Sequence, residues 1–496
     1  MVKNKSHTLA YSLIGLQELN LGYRFPIEFW NCACLIADSG GAEIVDEDED
    51  EIEEITEEIP VSSSYIEEFT SENEEVEEDS EDTTTTKKKK VASTNYGKIA
   101  TAIGKMKMSG INVTLPDIND STFTFSPDAE NHLIRYGLSG ISRIGKDLIQ
   151  TIINNKPYQS MEDFLTRVKV TKPQMVNLIK SGAFDKLCGD RIAAMNIYIR
   201  RVSEPKKRIT LQNMAMLIKF KLLPENLEFE QRVYNFNKYL KKMKLDNYYG
   251  LDNIAYQFFE SNYDIDKLRL TDNTESGFAI LQTTWDNIYQ NAMDKVRNYI
   301  KPNQQKLLSD LNECLFKEQW DKYAKGSISK WEMDSVSYYS HEHELDRMND
   351  YINGISNFFS LAEEPAIDTI IPIKGTQIPL FKIYRIAGTV LDRDKSKKTV
   401  TLLTKEGVVT TKIFGQVFSY YDKQLSERGA DGKKHVVEKS WLSRGNKIVV
   451  TGIRRGDQFV AKKYKKTPYH LVEIIDDIDD YDMLVTRGKR AGDEEE

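Results

Sequence analysis

Leu9, Leu13, Leu16 and Leu19 fall close to helical spacing and predict a helix over residues 6–37, with Ser6 as its N-cap and a break at Pro26. A second periodic stretch, YGKIATAIGKMKMSG, predicts a short amphipathic helix ending at Gly110. Residues 132–190 alternate short helical patterns with tight turns, and residues 191–360 are helical and aromatic-rich with few breakers. From residue 377 the period changes. FKIYRIAGTVLDRD, KTVTLLTKEG and VVTTKIFG are β-rich runs, and a helical stretch near 416–427 precedes NKIVVTGIRRGDQFVAKKY and YHLVEII. Five short strands with a helix after the third fit a small OB-type barrel. The fold class expected is therefore multidomain, mainly α followed by a small C-terminal β-barrel. The expected divisions are a helical portion in two pieces (1–42 and 91–131), an insert (43–90), a hairpin region (132–190), a helical connector (191–376), the barrel (377–475) and a frayed polar tail (476–496).

Charge changes this picture at one place. The 496-residue chain has a net charge of −9, yet residues 43–82 hold 21 Asp or Glu and no Lys or Arg, so the remainder carries +12. TTTTKKKK follows that block, and the whole segment is too charged to pack. It reads either as a solvated loop or as an electrostatic mimic of DNA that folds back on a basic groove. A basic body suits a polyanionic partner. The four cysteines (Cys32, Cys34, Cys188, Cys314) include no C-x-x-C pair, which argues against a disulfide framework or zinc site and for the cytoplasm. No apolar run approaches the roughly 20 residues that cross a bilayer, and no charged-then-apolar leader opens the chain, so no membrane partner is expected.

The richest chemistry lies in GLSGISRIGKDLIQTII (137–153), which predicts a helix, a short turn and a second helix. The first amides of that second helix, on Ile144, Gly145 and Lys146, lack intrahelical partners, and the helix dipole adds about half a positive charge there. A DNA phosphate docks on such amides without any base being read, with Arg143 and Lys146 as ionic support. VTKPQMVNLIKSGAFDKL offers a looser second unit with Lys172 at its turn and Lys180 near its end. An ordinary turn between packed helices is the other reading of both. In the barrel, Arg385, Lys412, Phe414, Phe418, Arg444, Arg454, Arg455, Phe459, Lys462, Lys463 and Tyr464 interleave cations with aromatics, as single-stranded nucleic acid requires. Some of those rings must be barrel core. Carboxylates for two-metal chemistry are thin. Asp117 and Asp120 share a turn, LDRD (391–394) sits in a strand connection, and His341 with His343 lacks completing zinc ligands. No metal site and no catalytic residue is expected in this chain.

In this order the motifs resemble the C-terminal part of the C-family polymerases, the bacterial DNA polymerase III alpha subunits. NKSHTLAYSLIGLQ…YRFPIEFW resembles the fingers signature, and IGKMKMSGINVTLPDIN resembles the fingers stretch ending in a P-P-D-[IV]-N turn. IRYGLSGISRIGKDLIQTII…LIKSGAFDKL resembles the tandem helix-hairpin-helix region, with Arg143 where the family hairpin carries its first glycine. YYSHEHELD (338–346) resembles Y-x-S-x-H-P-L-D, with Glu344 in place of proline, and the barrel resembles the family's OB domain. The resemblance covers residues 1–42, about 96–190, 332–346 and 377–475. It implies that Lys3, Lys5, Ser6, His7 and Tyr11 face an incoming dNTP, although Ser6 and His7 also fit a simple helix cap. It implies primer–template and single-stranded DNA as partners, and no cofactor bound by this chain. The family's PHP, palm and thumb domains precede its fingers, so Mg2+ and the aspartates that hold it are expected on an N-terminal palm-containing chain. QIPLF fits the Q-x-x-L-F pattern that grips a sliding clamp, through Gln377, Leu380 and Phe381, unless Phe381 starts the first barrel strand. The function implied is the C-terminal subunit of a split replicative DNA polymerase, inactive alone. A non-catalytic DNA-binding accessory or relic is the second reading, and a sequence truncated at its start, with the palm in the same chain, is the third.

Overall fold

A computed structural model describes residues 2–36, 95–268, 270–273, 277–373, 376–428 and 434–493. The insert at 43–90 lies outside the described residues. The chain divides into two compact units, one built from Met1–Met195 with Gly326–Glu496 and the other from Asn196–Lys325. The expected connector is thus cut at both ends, because residues 326–376 pack with the barrel.

The first unit opens with the helix Val2–Arg24, and Pro26 starts a new helix, Pro26–Trp30, as its fixed φ and missing N–H favour. Asn31–Ile36 continues it as a π-helix. Ser6 falls inside the first helix and does not cap it. Helix Tyr96–Met108 starts where the Asn95 side chain accepts the Lys98 N–H at 3.0 Å, and Lys105 and Lys107 complement its C-terminal dipole. This helix lies on the barrel. A Cβ on Gly97 would stand 2.3 Å from Cγ of Asp392, and one on Gly104 would stand 2.4 Å from Cγ2 of Val408, so only glycine permits the approach.

The barrel strands are Tyr384–Asp394, Thr399–Leu403, Val408–Lys412, Lys447–Arg455 and Gln458–Ala461, with helix Gly415–Asp422 after the third. Parallel pairing of Thr410–Lys412 with Gln458–Val460 closes the sheet. Phe459, Phe418, Trp441 and Val390 fill the interior. The barrel therefore matches the expected OB-type order, but NKIVVTGIRRGDQFVAKKY supplies two strands, and YHLVEII contributes to a flanking strand, Val472–Ile478. The helical stretch predicted to 427 stops at Asp422, and Leu425–Arg428 pairs instead with Lys434–Glu438 as a separate hairpin.

The tail does not fray as expected. Leu484–Arg487 pairs with Val472–Ile478, and Arg490 is buried. Its guanidinium donates to Glu438 Oε2 at 2.9 Å and to the carbonyls of Tyr420 and Lys439 at 2.6 and 3.0 Å. A polar sequence is ordered here because each donor of the fork meets an acceptor.

The second unit is helical around Trp285, whose indole N–H donates to Asn237 Oδ1 at 3.0 Å. It also holds a three-stranded sheet, Tyr248–Leu251, Thr271–Asn273 and Gly277–Leu281, that helical periodicity did not reveal. No helix among the described residues is long and apolar enough to cross a membrane.

Candidate nucleic-acid interface

The first hairpin is built on a stiff base. Ile141 and Ile144 are buried, and the Ser142 N–H donates to the Ser335 carbonyl at 2.8 Å. Asn177 Nδ2 donates back to the Ser142 carbonyl at 2.9 Å. The Tyr136 hydroxyl bridges the carbonyls of Gly140 (2.9 Å) and Val336 (2.8 Å), while its ring stacks on Tyr338. Burial raises the Tyr136 phenol well above its usual pKa, so it stays a donor. From this base the turn presents Arg143 and Lys146 outward, both exposed.

Helix Lys146–Asn154 begins at Gly145, which carries no capping side chain. The first amides of this helix therefore have no side-chain cap, as phosphate docking needs, whereas the Ile144 N–H is used inside the turn, 3.4 Å from the Ile141 carbonyl. Arg143 adopts φ +65°, the left-handed conformation that its glycine counterpart takes freely. The turn thus keeps its shape with arginine, at a cost of about 1 kcal/mol. Arg143→Gly is expected to raise the urea midpoint of this unit, a gain of up to about 1 kcal/mol, while weakening DNA binding. Unchanged stability would place the strain elsewhere.

The second hairpin differs. Its helix, Lys172–Lys180, is closed by a Thr171–Gln174 capping box, with Gln174 Oε1 accepting the Thr171 N–H at 2.9 Å. Lys172 is half-buried at N1, beside Pro173. Lys180 is turned into the protein, 3.6 Å from Asp334, and burial lowers its pKa. Lys180 is therefore a structural ion-pair partner and not an open phosphate contact.

Beneath both hairpins sits a buried acid that the sequence did not single out. Glu332 is fully buried. Its Oε1 accepts from Arg191 Nη1 (3.0 Å) and His341 Nδ1 (2.7 Å), and its Oε2 from the N–H groups of Ser340 (2.9 Å) and His341 (3.1 Å). Arg191 also donates through Nε to Asp185 Oδ1 at 3.0 Å. The H-x-H pair is structural as well. His343 Nε2 donates to the Leu403 carbonyl (3.0 Å) and Nδ1 accepts the Leu345 N–H (3.0 Å), and burial takes its pKa down to about 4. The ring is a neutral imidazole of fixed tautomer. Among the described residues no group of three or more His, Cys, Asp or Glu is placed to hold a metal ion.

The barrel candidates separate into two sets. Arg385 is mostly buried, donating to Glu473 Oε2 at 2.9 Å and to the Asn353 carbonyl at 2.8 Å. Arg454 is also mostly buried and staples the Leu361 carbonyl at 2.7 Å. Phe459 and Phe418 are core. These four hold the barrel together and are not surface contacts. Arg444 lies 4.7 Å over Tyr96 and reaches Ser142 Oγ at 3.5 Å, so it ties the barrel to the first hairpin. Lys412 donates to the Lys397 carbonyl beside Phe414, which is 60% exposed. Arg455 and Lys463 are exposed, and Lys462 is half-buried.

Gln377, Leu380 and Phe381 occupy strand Thr376–Phe381, which pairs with Ile367–Ile373 in a hairpin separate from the barrel. The first barrel strand starts only at Tyr384. The backbone of Lys3, Lys5, Ser6, His7 and Tyr11 lies in the first helix, and their side chains are outside the described set.

The family model described as "Helix-hairpin-helix motif" matches residues 110–194. Its start agrees with the packing, since the Ile118 N–H donates to the Ala183 carbonyl and Asn119 bonds twice to Tyr158, which joins residues 110–131 to the hairpins. The chain is 38% identical over 98% of its length to "Probable DNA polymerase YorL" of Bacillus subtilis and likewise to the "DNA-directed DNA polymerase" of Bacillus phage SPbeta. It spans 35% of the length of each. It is also 29% identical, over 38% of its length, to the DNA polymerase III subunit alpha of Borreliella burgdorferi, of which it covers 17%. The chain is thus similar to part of a bacterial and a phage DNA polymerase and, over a shorter stretch, to part of a bacterial DNA polymerase III alpha subunit.

Proposed function

We propose that this chain supplies the DNA-holding part of a DNA polymerase of the polymerase III alpha type. The observation that carries the reading is the first hairpin: an uncapped helix start with Arg143 and Lys146 exposed, inside the matched motif and rigidly backed by the barrel unit. Phosphates of primer–template duplex dock on its amides and cations, which positions the duplex without reading sequence. The barrel takes single-stranded template on its exposed cations and rings. The first helix, through Lys3, Lys5, Ser6, His7 and Tyr11, meets the dNTP.

Such an enzyme needs carboxylates that bind Mg2+ to activate the primer hydroxyl and stabilise the leaving pyrophosphate. In this reading they belong to a palm-bearing polypeptide beyond these 496 residues. This chain's share is to orient the duplex and neutralise phosphate charge.

The purified chain is expected to bind primer–template DNA with steep salt dependence and to give no primer extension. Adding a polypeptide corresponding to the part of the B. subtilis relative that the chain does not cover should restore extension. Synthesis by the chain alone would overturn the division of labour. Binding without restored synthesis would favour a non-catalytic DNA-binding accessory.

A further inference from the structure

We propose that Phe381 and Tyr464, flanked by Arg455, Lys462 and Lys463, form a base-stacking platform for single-stranded DNA, and that QIPLF is a wall of this platform and not a clamp-binding peptide. The proposal rests on the DNA-holding reading above and adds to it a strand-specific site.

The geometry begins with a tether. The Phe381 N–H donates to the Tyr464 hydroxyl at 2.7 Å, which fixes the end of the Ile367–Phe381 hairpin to the loop after the fifth barrel strand. Tyr464 is itself held, its N–H donating to Thr467 Oγ1 at 3.0 Å. Two cations converge on these rings. The Lys462 ammonium lies 5.4 Å from the Phe381 centroid and 5.5 Å from that of Tyr464, and the Arg455 guanidinium lies 5.9 Å from Phe381. Both rings are half-buried, so each keeps accessible surface.

What distinguishes the cluster is its missing counter-charge. The neighbouring Arg454 is paired with Glu363 and four carbonyls, as a structural arginine should be. Among the described residues neither Arg455 nor Lys462 has a carboxylate partner. Partial burial, with the repulsion of Arg455 added to it, pulls the Lys462 pKa down. The repulsion between the two cations is left without an acid to offset it, and a polyanion would supply that offset. A strand whose bases stack while its phosphates run past the cations has that chemistry.

The clamp reading requires more disruption. A Q-x-x-L-F peptide must be free to enter a partner's pocket, yet this one is already a paired strand, with Leu380 opposite Thr369 and Phe381 opposite Ile367. Its phenylalanine would have to leave Tyr464 and both cations.

The test compares blunt duplex with duplex bearing an oligo-dT 5′ overhang, and oligo-dT alone, using the full chain. Wild type is expected to bind overhang DNA more tightly than blunt DNA. Phe381→Ala should reduce the overhang advantage and oligo-dT affinity about tenfold, leaving blunt duplex unchanged. Phe381→Trp should retain them, and Arg455→Ala/Lys462→Ala should lose them with the ring intact, so a loosened hairpin cannot explain the pattern. An overhang advantage that survives both the Ala and the double variant would overturn the platform. So would loss of binding to a bacterial sliding clamp by Phe381→Ala with oligo-dT affinity intact, since that is the clamp result. Failure of blunt duplex to bind at all speaks against the hairpin reading, while oligo-dT alone still decides this one.

Discussion

Replacing Glu332 with alanine is expected to destabilise the first unit by about 3–5 kcal/mol, the largest stability effect of any single substitution proposed here. The carboxylate is fully buried and accepts from Arg191, His341 and two backbone amides. Its removal leaves the guanidinium of Arg191, 3% exposed, short of one of its two acids. It also orphans the amides of Ser340 and His341, each of which carries its own desolvation penalty. Denaturant unfolding followed by the tryptophan signal measures the change, and Trp331, adjacent in sequence, is a buried reporter. Glu332→Gln separates the parts, since it keeps an acceptor for the amides but removes the charge. It is expected to fall between wild type and alanine. A loss under about 1 kcal/mol for Glu332→Ala would show that the site relaxes or admits water.

The largest functional effect is expected from Arg143→Ala/Lys146→Ala. Each cation that neutralises one phosphate contributes about 0.9 to the slope of log affinity against log salt. Losing both should flatten that slope by about 2 and weaken duplex binding by roughly ten- to a hundredfold at low salt. Fluorescence anisotropy over a salt series reads both quantities. Lys180→Ala is the informative control. Its ammonium is turned toward Asp334, so it should alter stability and leave the slope alone. If the double variant keeps the wild-type slope, the duplex is held elsewhere.

Much of this was legible because local signals agreed. Gly145 before an apolar helix announces a hairpin, and β-rich runs from residue 377 announce strands. What the residues alone could not reveal was the destination of each cation. Arg385, Arg454 and Arg455 look alike in sequence, but the first two meet carbonyls and acids brought from far along the chain. Arg191 and Glu332 are separated in sequence by the whole of the second unit, so no periodicity could pair them. The three-stranded sheet of the second unit was missed because its strands are three to five residues long, too short to interrupt a helical pattern. Arg490 made the tail ordered through carbonyl acceptors, which leave no trace in composition.

The Arg191–Glu332 pair has a further meaning when the order of the chain is considered. Arg191 stands four residues before Met195, where the chain leaves the first unit, and Glu332 stands six residues after Gly326, where it returns. In chain order the second unit is therefore a guest inserted into a host sequence, and the ion pair clasps the two host segments at the neck where the chain leaves and returns. Closing a long loop costs entropy that grows only with the logarithm of its length. With the neck clasped by a buried pair, the host's fold is nearly indifferent to how much chain the guest contains. Insertions or trimming inside Asn196–Lys325 are thus cheap for the first unit, whereas a single change at the neck is not.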